Sequence, residues 1–160
     1  MTDSASAFLP PEVPEMDAAS FDVEEWPFYW LSRVVGRYLR QMEAALKPIG
    51  LDVPRWRVLM VLHDGEPASV SEIAEHAIVK LPTMTKIIQR MQADGLVECR
   101  ARETDGRVTE VILTDAGFAA RDKAWTVAHS VYRRAFAGVK TGEKKMLNRL
   151  LRQVFETIGP

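Results

Sequence analysis

The stretch Leu81–Ala93, LPTMTKIIQRMQA, carries Thr83, Thr85, Lys86, Gln89 and Arg90 at positions that avoid its apolar residues. These side chains mix two chemistries. Glutamine can pair with an adenine edge, arginine or lysine with guanine, and threonine can meet a thymine methyl group or a phosphate. A helix uses them this way only with its N-terminal half in a major groove; alone, such a face is equally a solvated surface. A second concentration follows at Arg100, Arg102 and Arg107, where Asp105-Gly106-Arg107 sets an acid two residues before an arginine. A carboxylate at that spacing can hold a guanidinium in one orientation, ready for a narrow minor groove. Without context the same pair is a surface ion pair of little worth.

The elements needed to position these residues are legible. Met84, Ile87/Ile88 and Met91 form the buried side of a helix over Leu81–Ala93, with Pro82 in its first turn and Gly95 after its end. Before it, Ser69-x-x-Glu72 is a capping box that starts a short helix with Ile73, Ala74 and Ala77 inward. Ser69, at that start, is also a candidate DNA contact. After it, Leu96–Ala101 and Arg107–Leu113 alternate as strands, joined by Arg102-Glu103-Thr104-Asp105-Gly106, in which Asp-Gly is a strong tight-turn signal. Two short helices followed at once by a hairpin with an arginine-bearing tip outline a winged helix-turn-helix. A winged helix could use the same surface for protein contacts, but one doing so would not need Lys86, Arg90, Arg102 and Arg107 there.

Outside that segment the chain reads as helix. Leu31, Val34/Val35, Tyr38, Met42 and Ala45/Leu46 recur in steps of three and four from Trp26 to about Lys47, where Pro48 and Gly50 stop the helix. Arg55–His63, after Pro54, carries Trp56, Leu59, Met60 and Leu62/His63 on one side. Thr114 caps a helix running from Asp115 to about Gly138, and Thr141 caps the last, Gly142–Ile158. The fold class is therefore mainly α with a small β-hairpin. Its regions are an acidic N-terminal arm (1–25), helices at 26–50 and 115–160, and a winged lobe at 51–114. The outer helices carry apolar stripes (Phe28, Leu31, Val35, then Leu147, Leu150, Leu151, Val154, Phe155, Ile158) that a monomer of this size would struggle to cover.

Charge and composition narrow the classes. The net charge of −1 is an average over unlike parts. Residues 1–25 hold seven acids, three prolines and no Lys or Arg, which reads as a mobile acidic arm; the remainder has 21 basic residues against 15 acidic. No apolar run approaches the roughly 20 residues of a membrane span, and no secretory signal is evident. One cysteine, Cys99, gives no intramolecular disulfide and points to the cytoplasm. Cys99 as a redox sensor would need a lowered thiol pKa, which neighbouring Glu98 opposes. His63, His76 and His129 lack metal-ligand spacing, and no cofactor motif, nucleophile elbow or phosphate-binding loop is present, so neither a metal site nor an enzyme is expected.

The chain resembles the MarR (multiple antibiotic resistance regulator) family. The likeness runs in order through Ser69-x-x-Glu72-Ile73-Ala74, Thr83-x-Thr85, Ala93-Asp94-Gly95-Leu96-Val97, Asp105-x-Arg107 and Leu113-Thr114-Asp115-Ala116-Gly117, and covers about residues 26–158. Leu81–Thr85 looks most like regulators of aromatic-compound breakdown. Glu98-Cys99 departs from the pattern, because a basic residue is common there.

The resemblance implies a homodimeric repressor on double-stranded DNA, its first and last two helices interleaved with those of a second chain. It also implies a small anionic aromatic effector held between the dimer helices and the winged lobe. Trp26, Tyr29, Trp30, Arg33, Arg37 and Tyr38 on the first helix, with Trp56, Met60 and His63 on the second, are the candidate residues. Arg33, Arg37 and Arg40 lie at i, i+4 and i+7, on one helix face. Aromatic walls with a few arginines suit an aromatic acid or its coenzyme A thioester, whose phosphates would call on that stripe. A dimer core beside a solvated basic stripe would need the same residues.

Overall fold

Pro48 and Gly50 end the first long helix where the sequence places them. In the computed structural model, which describes residues 20–159, α1 spans Pro27–Leu46, a 3-10 turn follows at Lys47–Ile49, and Gly50 closes it at φ +75°. Most of the acidic arm lies outside the described residues. Its last part forms a 3-10 turn, Val23–Glu25, capped by the Asp22 carboxylate, which accepts the Glu24 N–H at 2.9 Å. The chain divides into two units within α1, one ending at Arg37 and one beginning at Tyr38.

The first unit carries a cluster of rings, all exposed but the half-buried Tyr29. Phe21, Trp26 and Phe28 stand 5.7 and 6.0 Å apart in sequence, and Tyr29 meets Trp30 edge-on at 5.2 Å. The Trp30 indole N–H is engaged by the Glu24 carbonyl at 2.8 Å.

The second unit holds the core. From Tyr38 onward α1 turns Met42 and Leu46 inward. α2 (Val53–Val61) starts two residues before Arg55, because the Asp52 carboxylate caps it by accepting the Arg55 N–H at 2.9 Å. It buries Trp56, Val58 and Leu59, while Met60 is half-buried and His63, beyond its end, is exposed. α3 (Val70–His76) begins with the expected capping box, and α4 covers Leu81–Ala93 as expected, with Met84, Ile88 and Met91 buried. The turn between them passes through Ile78 at φ +54°, a left-handed conformation rare for a β-branched residue.

The hairpin pairs β2 (Val97–Arg102) with β3 (Asp105–Leu113), and a two-residue strand β1 (Ala68–Ser69) joins the far side of β3 to give the order β1-β3-β2, all antiparallel. The tight turn is at Glu103-Thr104, not at Asp105-Gly106 as the dipeptide suggests, since Arg102 pairs directly with Asp105. The Asp105 carboxylate accepts the backbone N–H of Arg107 at 3.1 Å, which holds these residues at the start of the strand. α5 (Asp115–Ala135) is capped by Thr114, whose hydroxyl accepts the Gly117 N–H at 3.0 Å. In α6 (Thr141–Ile158) Thr141 is the first helical residue and not the cap. The Glu143 carboxylate reaches back to the Lys140 N–H at 2.7 Å and stabilises that end instead. No residue of α6 is buried.

Candidate nucleic-acid interface

α4 presents its polar face because its apolar residues are claimed elsewhere. With Met84, Ile88 and Met91 in the core, the 3.6-residue period leaves Thr83, Thr85, Lys86, Gln89 and Arg90 exposed. Among the described residues the side chains of Thr83, Lys86, Gln89 and Arg90 make no hydrogen bond or ion pair, so they are free for a ligand. Thr85 differs. Its hydroxyl donates to the Leu81 carbonyl at 2.9 Å, leaving a methyl group and an acceptor lone pair to offer. That suits a base edge or a thymine methyl better than a phosphate, which needs a donor.

The three arginines of the hairpin have different situations. Arg107 is 91% exposed and is gripped by Asp105 in a fork, Nε to Oδ1 at 3.1 Å and Nη2 to Oδ2 at 3.2 Å. The Arg107 side chain, then its backbone N–H, holds the Asp105 carboxyl below the usual aspartate range. Arg100 pairs with Glu110 at 3.4 Å, and Arg102 donates to Glu110 at 2.8 Å and lies 3.5 Å from Glu72. Ser69 is buried at the edge of the cleft between α4 and the hairpin, and its hydroxyl accepts the Glu72 N–H at 3.2 Å, which starts α3. A cleft of about 450 Å³ between α4 and the hairpin gathers Leu81, Thr85, Ile88 and Gln89 from the helix and Arg107 and Thr109 from the strand. Gln92, Ser71 and Thr109, which the sequence did not single out, line it too.

Cys99 also faces this cleft, because strand alternation puts it on the side of buried Val97. Burial pushes its thiol pKa up, the wrong direction for a reactive thiolate. Among the described residues no three His, Cys, Asp or Glu side chains gather as a metal site, and no helix is long and apolar enough to cross a membrane.

A second concavity lies in the same unit. Tyr38, Trp56, Met60 and His63 line a pocket of about 500 Å³ together with Arg57 and His76. His76 has no sequence signal, since it arrives from α3 against α2. Arg57 is tied to the Ala77 carbonyl at 2.8 Å, and His63 uses Nδ1 on the Met60 carbonyl at 2.9 Å, so its Nε2 is left for a ligand. Beside it Met60 and His63 border a smaller pocket with Arg121 and Trp125, where Arg121 donates to the His63 carbonyl at 2.6 Å and pairs with Asp122 at 2.7 Å. Trp26, Tyr29, Trp30, Arg33 and Arg37 belong to the first unit, where Arg33 lies 5.0 Å above the Tyr29 ring.

Comparison with known proteins agrees with this geometry. Residues 49–108 match the family model described as MarR family. The HTH-type transcriptional repressor IacR of Pseudomonas putida is 46% identical over 138 residues, spanning 86% of this chain and 83% of that protein. A MarR-family transcriptional regulator from Silicibacter pomeroyi superposes with a TM-score of 0.78 at 25% identity, covering 87% of this chain and 94% of that one. CouR from Rhodococcus jostii RHA1, solved bound to p-coumaroyl-CoA, has the same fold, with a TM-score of 0.77 at 23% identity over 84% and 95% of the two chains.

Proposed function

The chain belongs to the MarR family of transcriptional regulators, and from that premise we propose that it represses transcription as a homodimer on a near-palindromic operator and is released by a small aromatic acid or its coenzyme A thioester. The observation that carries the DNA half is the pairing across one cleft of the free polar face of α4 with the Asp105-oriented Arg107. α4 reads base edges in the major groove through Gln89, Arg90 and Lys86, with Thr83 and Thr85 at its leading end. Arg107 enters the adjoining minor groove, its guanidinium already oriented.

The effector half is supported by the pocket beside Trp56. Tyr38 and Trp56 offer ring surfaces, Met60 an adaptable apolar wall, and the His63 and His76 imidazoles polar edges for a carboxylate. That CouR is solved with an aromatic thioester fits this class of ligand. Occupancy would favour a separation of the two winged units that mismatches the half-sites. It can release DNA only as far as the ligand's affinity differs between the two forms.

The test is a gel shift of the protein on DNA from beside its own gene, titrated with aromatic acids and their coenzyme A thioesters. Relief of binding by one compound, and loss of that relief in Trp56→Ala with DNA binding kept, is the expected result. Binding that no compound relieves would remove the effector pocket. No binding at low salt, where phosphate contacts are strongest, would overturn the DNA reading.

A further inference from the structure

We infer that Arg102 is a positioning residue, the centre of a strut Glu110–Arg102–Glu72 that fixes the wing against helix α3, and that it does not bind phosphate. The geometry comes from three elements. Arg102 ends β2, its Nε donates to Glu110 of β3 at 2.8 Å, and its Nη2 lies 3.5 Å from Glu72 of α3. Both carboxylates have further partners. Glu110, whose side chain is 14% exposed, also pairs with Arg100 at 3.4 Å. Glu72 accepts the Ser69 backbone N–H at 2.6 Å, closing the capping box of α3. Ser69 in turn pairs with Glu110 across β1 and β3. The strut therefore closes a ring through wing, strand and helix start.

The consequence for DNA binding rests on the reading above; the geometry does not. A two-strand ribbon with a bulge beside its tip is a weak lever by itself. Tied to α3, which packs on α4, the ribbon holds Arg107 at a set distance from the recognition face before DNA arrives. Arg102 meanwhile pairs with both carboxylates, so its positive charge is answered inside the protein.

Strut and phosphate ligand predict opposite signs for the carboxylate. Removing a negative charge near DNA ordinarily strengthens binding, whereas removing Glu110 from a strut weakens it. The experiment measures the affinity of the full chain for a duplex from beside its own gene across a series of salt concentrations. The chains compared are wild type, Arg102→Ala, Arg102→Lys, Glu110→Ala and the double alanine variant. Hydrogen exchange of the wing amides without DNA is measured alongside.

Each single variant, Arg102→Lys included, should lose about three- to tenfold in affinity, and the double variant should lose no more than either single. The salt slope should stay at the wild-type value, and exchange at residues 102–107 should quicken. Lysine keeps the charge but cannot reach two carboxylates with a planar fork, so it rescues a phosphate contact and not a strut. Tighter binding by Glu110→Ala, or a slope reduced by about 0.9 per protomer in Arg102→Ala with Arg102→Lys near wild type, would overturn the proposal. If the wild type binds no duplex, the DNA reading fails, and unchanged wing exchange in Arg102→Ala would then sink the strut independently.

Discussion

At the scale of single residues, the wing divides its arginines by what their carboxylate partners are anchored to. The Asp105 carboxylate is taken up by the Arg107 guanidinium and backbone N–H, so it orients that side chain and leaves it 91% exposed. Glu110 and Glu72 are built into strand and helix start, and they draw Arg102 into the fold. The Asp105 pair gives a pH prediction. Its carboxyl titrates below the ordinary aspartate range, mainly through the Arg107 side chain and secondly through its backbone N–H. A depressed folded-state pKa favours the folded, oriented form above the ordinary value, and this is lost as pH falls through the lowered one. In Arg107→Ala the Asp105 midpoint, followed by carboxyl NMR, should move back up towards the ordinary value. DNA affinity should fall and its salt slope lessen by about 0.9 per protomer. The unfolding curve should barely move, because so exposed a side chain supports little packing. An unfolding midpoint that shifted as far as the binding curve would show that Arg107 serves the fold and not the groove.

At the scale of elements, the segments that met their expectation had a local physical cause. α4 matches its expected bounds because Pro82, the apolar steps Met84–Ile88–Met91 and Gly95 (φ +71°) all act within the segment. Within the expected connection, residues 102–106, the turn falls at Glu103-Thr104 and not at the Asp-Gly dipeptide, because the Asp105 side chain accepts the Arg107 N–H and holds Asp105 extended. The end of α3 lacks its usual glycine mark, with Ile78 in the left-handed position instead. β1 has two residues and exists only through pairing with β3. His76 in the pocket and the double engagement of Arg102 depend on contacts between elements, which periodicity does not encode. Gly117 is the case where motif and packing meet. It follows the Thr114 cap, and a Cβ there would overlap the Leu96 carbonyl oxygen and come within 3.2 Å of Leu113 Cδ2. Backbone cannot yield as a flexible side chain can. Gly117→Ala should therefore lower unfolding free energy by about 2–3 kcal/mol in denaturant titration at fixed protein concentration. A loss well under 1 kcal/mol would mean that α5 can tilt off the hairpin without harm.

At the scale of the whole molecule, α6 stands out for the apolar surface it exposes. Met146, Leu147, Leu150, Leu151, Val154, Phe155 and Ile158 are all between 37% and 78% exposed, and their spacing sets them along one stripe. α5 adds a ladder of rings, exposed Trp125, His129 and Tyr132 and then the half-buried Phe136 just past its end, with centroid steps of 6.3, 6.2 and 4.9 Å. Full burial of one large aliphatic side chain is worth roughly 1.5–3 kcal/mol, so leaving this stripe in water would forfeit much of a domain's net stability. A second copy of the same chain is the partner that the homodimer reading supplies, through a self-complementary two-fold contact. Leu151→Asp places a charge inside that contact. It should shift the protein from dimer to monomer in sedimentation equilibrium at micromolar concentration, with collapse of operator affinity, because a single winged unit holds only one half-site. Where the monomer does not stay folded, the same contact is read in the wild type as a melting temperature that rises with protein concentration. A Leu151→Asp chain that remained dimeric, beside a wild-type melting temperature independent of concentration, would place the dimer contact off this stripe and leave α6 without its partner.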